Sequence, residues 1–236
     1  VRVWGSIGFI VSATASGALL QWSGIGALPV FVVVASVALL VAAWRVPRDG
    51  VTVAATPVAA ATGIWGVLRQ PTVAWFFAGV FLTVLAHTPL YVFFSLYLAS
   101  LGYGERAIGL LWAVSVAVEI AFFWTQGRWF ARWNARAWLI AAAAVSVLRF
   151  GAMAAFAGSP VVLVLAQMLH AVTFAAHHAA CIALIDRHFP GALRGRGQAI
   201  YTTLGYGASG VLGGLLGGAL SERFGFSAVF AVAAAA

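Results

Sequence analysis

The chain has 236 residues, 64% of them hydrophobic and 8% charged, with a mean hydropathy of +1.03. Soluble domains are roughly 45–50% apolar and about 25% charged, so a soluble body of this size is excluded, and ten Trp and seventeen Phe exclude a disordered one. The formal charge of +8 comes from arginines scattered between apolar runs, which form no basic face for nucleic acid and mark membrane topology instead.

A helix crossing the hydrocarbon needs about 20 mostly apolar residues. Punctuation by Gly, Pro and charge predicts eight such spans, at 3–21, 25–44, 72–100, 107–126, 137–157, 160–185, 197–220 and 224–236. The runs are too long and too uniformly apolar for strands of a β-barrel. The chain opens at Val1 without a Met or a signal peptide and stops inside the apolar stretch Phe230 to Ala236, so both ends read as cut. Cys181, the single cysteine, can form no internal disulfide.

In chain order, the first span carries small residues four apart, Gly8, Ser12 and Ser16, a spacing that lets helix backbones approach closely in lipid. Residues 46–70 form the most polar connection and predict a cytoplasmic linker between two helices and six, with a short interfacial helix from Gly63 to Arg69. The third span holds His87, Tyr91 and Tyr97 around Pro89, which frees a backbone carbonyl and kinks the helix. Ionisable groups follow at mid-depth: Glu119 in the fourth span, Arg149 in the fifth and His170 in the sixth. Each costs about 2.5–3.5 kcal/mol at the bilayer centre and is a functional candidate by default. Opposite charge predicts that Glu119 and Arg149 pair.

On the sixth span, Gln167, His170, Thr173 and His177 fall within about 120° of one another on a helical wheel, with His178 turned away. A neutral imidazole facing Glu and Arg can exchange a proton near physiological pH. His177 and His178 also raise a metal or haem as an alternative, which needs further ligands from another helix, where only His87 of the third span is available. The seventh span repeats the small-residue ladder at Gly210, Gly214 and Gly218. Gly17-Ala18-Leu19 with Gly24 recurs as Gly218-Ala219-Leu220 with Gly225, a trace of internal repetition.

The arginines test the span count. Arg45, Arg48, Arg69, Arg128, Arg132, Arg136, Arg187, Arg194 and Arg196 lie in one set of connections, whereas the alternate set holds only Arg106 and Arg223. That alternation predicts the first set to be cytoplasmic. Trp22, Trp44, Trp75, Trp124 and Trp138 fall near span ends, as interface anchors do.

Several segments resemble the major facilitator superfamily, in the branch of the phenylpropionate and lactose permeases. Arg2-Val3-Trp4-Gly5-Ser6-Ile7-Gly8-Phe9 resembles the start of that branch's fifth helix, and Leu68-Arg69-Gln70-Pro71 with Trp75-Phe76-Phe77 the start of its seventh. Gln167-Met168-Leu169-His170 resembles the tenth-helix segment with its functional histidine, and the order Glu119, Arg149, His170 matches as well. The similarity to the phenylpropionate permease type covers essentially the whole chain, including His87 ahead of Tyr91 and Phe94-Ser95.

The resemblance implies an all-α membrane bundle of two six-helix halves that moves by alternating access. Residues 1–45 would then be the last two helices of the first half and 46–70 the central cytoplasmic loop. Residues 71–236 would be the second half with its last helix truncated. It also implies that Arg2 grips substrate, that Phe9 stacks on it, and that Glu119, Arg149 and His170 serve proton coupling. The branch's other acids would fall at Thr88, Tyr91 and Thr173, so lactose transport by the lactose permease's mechanism is not expected. The loop from Gly127 to Arg136 resembles the superfamily's cytoplasmic motif, but Ala131 stands where an acid is expected and Asn134 where a glycine is.

The resulting expectation is a proton-coupled symporter of a small organic solute such as an aromatic carboxylate, monomeric in a bacterial inner membrane. It is not expected to be an enzyme or to need a cofactor, a metal or nucleic acid. Substrate would meet Arg2, Phe9, His87 and Tyr91, and protons Glu119, Arg149, His170 and His177. A nucleoside or sugar symporter is the alternative within the same class. A His-site membrane enzyme or haem protein, or a truncated protein that transports nothing, are alternatives of other kinds.

Overall fold

The computed structural model describes residues 22–45, 63–128 and 130–236, together with isolated positions between 5 and 19. Every regular element among the described residues is helical. The chain divides into two units, Val1–Val53 and Ala54–Ala236.

In the first unit, Gly24 turns the backbone with φ +77° ahead of helix α1, Leu28–Arg45. None of α1's eighteen residues is buried. A helix apolar on every side, with Trp44 at its end 83% exposed, suits hydrocarbon and not water.

The second unit contains α2 (Ile64–Leu68), α3 (Pro71–Ser100), α4 (Glu105–Thr125), α5 (Ala135–Phe156), α6 (Pro160–Met168), α7 (His177–His188), α8 (Arg194–Ile200) and α9 (Ser209–Ala235). A π-helical turn, Ala171–Ala176, follows α6 and leads into α7, and another, Tyr201–Ala208, joins α8 to α9. Local chemistry sets several starts. Pro71 occupies the first turn of α3, where its missing N–H costs nothing. Asn134 caps α5 by accepting from the Ala137 amide at 2.8 Å.

At about 1.5 Å per residue, the stretch Gly191–Ala235 would run to roughly 68 Å, more than twice the hydrocarbon thickness of about 30 Å. Gly225, at φ +79° and ψ 170°, breaks it into two spans. Only a residue without a Cβ adopts that backbone cheaply. The two glycines matched across the internal repeat, Gly24 and Gly225, thus share a left-handed turn after a helix. Before the break α9 runs parallel to α3, with Gly213 against Thr88 and Gly217 against Phe93. After it the chain runs antiparallel to α5: Ser227 Oγ donates to the Ala154 carbonyl at 2.6 Å, and Ala234 faces Gly151.

Two expectations need correction. The ladder Gly210, Gly214, Gly218 does not make the close helix contact: a Cβ at any of the three would meet nothing within 4 Å among the described residues. The neighbouring ladder, Ser209, Gly213 and Gly217, is buried against α3 instead. In the first span, a Cβ at Gly8 likewise meets nothing among the described residues, and Ser16 lies outside them. Trp138 is not an interface anchor. It is 7% exposed, stacks on Phe130 at 5.3 Å and donates Nε1–H to the Phe130 carbonyl at 2.9 Å, which ties the connection before α5 to its first turn. Trp22, Trp44, Trp75 and Trp124 are exposed at helix ends as expected.

Two apolar clusters fill the second unit. One takes Val73 to Val84 of α3 with Cys181, Ile185 and Phe189; the other takes Ala86 to Leu98 with Phe150, Leu163 and Phe230. Polar side chains meet at the boundary between them, halfway along the helices.

Candidate functional site

Three spans supply the centre of that boundary: Glu119 from α4, Arg149 from α5, and Gln167, His170 and Thr173 from the sixth span. Arg149 is fully buried. Burying a guanidinium is costly unless its donors are met; here NH2 donates to Gln167 Oε1 at 2.7 Å and NH1 to Thr173 Oγ1 at 2.8 Å, while the buried Nε has no partner among the described residues. Gln167 in turn donates Nε2–H to the Leu111 carbonyl of α4 at 3.2 Å. Its side chain therefore links α4 to the arginine.

His170 faces both charges. Its Nδ1 lies 3.1 Å from Arg149 NH1 and its Nε2 lies 3.7 Å from a Glu119 carboxylate oxygen. An arginine can only donate, so Nδ1 is the acceptor and the ring proton sits on Nε2, toward Glu119. Glu119 and Arg149 thus communicate through an imidazole whose tautomer the arginine sets. The three residues meet as expected, but the pairing predicted between Glu119 and Arg149 is corrected to one that runs through His170, whose ring lies between the two charges.

The stripe Gln167, His170, Thr173, His177 is buried throughout. His177, however, does not join the arginine cluster: its ring nitrogens lie 3.6 and 3.8 Å from Cys181 Sγ. His178 is buried as well, and its Nδ1 is 2.9 Å from Tyr201 Oη, which lies 3.2 Å from Tyr206 Oη. Phe174 stacks on His170 at 5.0 Å and on His178 at 6.3 Å. The π-turn at Ala171–Ala176 falls within this span, where a wide turn shifts the phase of every residue after it. That shift, invisible to a regular wheel, accounts for two adjacent histidines both being buried. Among the described residues, no group of three His, Cys, Asp or Glu side chains is gathered to hold a metal.

A small cleft opens beside the cluster, lined by Thr83, Val84, His87, Tyr91, Thr173, Phe174, His177 and Tyr206. His87 is buried and Tyr91 is half-exposed, stacked on Trp112 at 6.4 Å. Trp112, Tyr201 and Tyr206 were not among the expected site residues; polar aromatics within spans were the available signal. Arg2 and Phe9 lie outside the described residues.

The sequence pattern of the MFS_1 like family matches residues 1–232. The chain is also similar to a protein of Escherichia coli (strain K12) described as a probable 3-phenylpropionic acid transporter, with 28% identity over 99% of this chain. It spans 61% of that relative's length. No solved structure matches the chain.

Proposed function

This chain belongs to the MFS_1 like family, a branch of the major facilitator superfamily, and from that premise we propose that it acts as part of a proton-coupled symporter for a small aromatic carboxylate. The protein works by alternating access in a bacterial inner membrane, as a monomer, with residues 46–70 as the loop between its halves. The observation that carries this reading is the buried Arg149–His170–Glu119 relay, with Nδ1 held by Arg149 and Nε2 turned to the carboxylate. The relative's description supports the solute class.

Coupling requires a group whose proton affinity differs between the two access states. In this reading Glu119 is the group that takes up and releases the coupled proton, and Arg149 acts on it through His170. Arg2 pairs with the solute carboxylate and Phe9 receives its ring, while His87 and Tyr91 are further substrate contacts.

Glu119→Gln in the full-length protein tests this reading, since neutral Gln resembles the protonated acid. Uphill accumulation of 3-phenylpropionate under a pH gradient should be lost while energy-independent counterflow persists. Full gradient-driven accumulation by the variant would place the proton elsewhere.

A further inference from the structure

His87 poses a separate chemical question. Its ring is 3% exposed, and its Nδ1 lies 2.8 Å from the Thr83 carbonyl one turn back on its own helix. A carbonyl only accepts, so the Nδ1 hydrogen is committed there. Nε2 then carries a lone pair. It is buried and has no partner among the described residues. The ring sits in the cleft with Tyr91, Thr173, Phe174, His177 and Tyr206. Of the hydroxyls that line the cleft with it, those of Thr83, Tyr91, Thr173 and Tyr206, Thr173 Oγ1 accepts from Arg149 and Tyr206 Oη meets Tyr201 Oη. Phe150 stands edge-on to the imidazole at 5.0 Å, an apolar neighbour with no donor to offer.

Buried acceptors in native proteins are met by a donor nearly without exception, and ligand sites combine apolar walls with a few such groups that set specificity. Here the walls are aromatic and the unmet group is an acceptor. We infer that His87 Nε2 accepts a hydrogen bond from a hydroxyl on the ring of an aromatic solute, which makes His87 the residue that selects ring-hydroxylated substrates. This rests on the functional reading above and adds a preference within it. A carboxylate cannot satisfy Nε2, because it has no hydrogen to give.

Sites built to hydrogen-bond a hydroxyl discriminate strongly against analogues that lack it, since the protein group is then left buried and unpaired. The probes are 3-phenylpropionate, 3-(3-hydroxyphenyl)propionate and 3-(3-methoxyphenyl)propionate, competing for uptake by the full-length protein. The methoxy compound keeps the oxygen and removes the donor. The hydroxy compound should compete about tenfold or more better than the methoxy compound, consistent with one buried hydrogen bond. His87→Leu should erase that ratio, and His87→Gln, which keeps an acceptor, should retain part of it. Equal competition by hydroxy and methoxy compounds in the unaltered protein, or a ratio that survives His87→Leu, would overturn the inference while leaving aromatic carboxylate transport standing. Failure of all three compounds to compete or accumulate would overturn both.

Discussion

A double-mutant cycle across the buried relay separates a connected cluster from three polar residues that happen to be near. Arg149→Met keeps an unbranched stem of similar reach and removes the guanidinium. It deletes the hydrogen bonds of 2.7, 2.8 and 3.1 Å to Gln167, Thr173 and His170. Thr173 can rotate to another partner, but Gln167 Oε1 is left unmet, at a cost of about 1–3 kcal/mol. The larger loss falls on Glu119, whose side chain is only 12% exposed and which loses the positive charge held behind His170. Removing the cation from a buried charged cluster costs about 3–5 kcal/mol in total, the Gln167 share included, which corresponds to a fall of roughly 10 °C in Tm. In a Glu119→Gln background there is no stranded anion. The same Arg149→Met change should then cost only about 1–3 kcal/mol, as set by Gln167. The coupling is therefore about 2 kcal/mol, well above the roughly 0.5 kcal/mol within which independent sites add. Tm of the purified full-length protein in mild detergent, followed by tryptophan fluorescence, measures it. An equal fall in both backgrounds would refute the argument that His170 connects the two charges.

Three further outcomes are expected. Gly213→Ala, whose Cβ would lie 2.6 to 2.8 Å from Thr88 side-chain atoms, should lower stability by about 1–3 kcal/mol through overpacking, whereas Gly214→Ala should be neutral or slightly stabilising; thermal unfolding in detergent compares them directly. Trp138→Phe, which deletes the donor to the Phe130 carbonyl, should cost about 1 kcal/mol and raise protease cleavage within 127–136. Single cysteines at Arg128, Arg132 and Arg136 in a cysteine-free background should react with an impermeant maleimide only in inside-out vesicles, and labelling in right-side-out cells would reverse the orientation.

Much of the molecule was legible before any coordinates, because lipid is a severe solvent. A span needs its length of apolar residues, and nothing else in the chain could supply one. An ionisable side chain at mid-depth must find a partner, so Glu119, Arg149 and His170 could be matched from their depths alone. The buried stripe Gln167, His170 and Thr173 followed from helical periodicity, and the span boundaries near Gly24 and Gly225 from glycine punctuation, although the positive φ of those two glycines did not. Tertiary structure decided whatever depends on the neighbour. Two glycine ladders one residue apart have the same spacing, and only the positions of Thr88 and Phe93 select Gly213 and Gly217 over Gly214 and Gly218. Trp138 has the composition and place of an anchor, yet the Phe130 carbonyl and ring draw it inward. The tautomers of His170 and His87 are set by an arginine on another helix and by a carbonyl one turn away. Residue type and spacing carry depth and periodicity, whereas the azimuth of each helix, and with it the partner of each polar atom, is fixed by packing between spans.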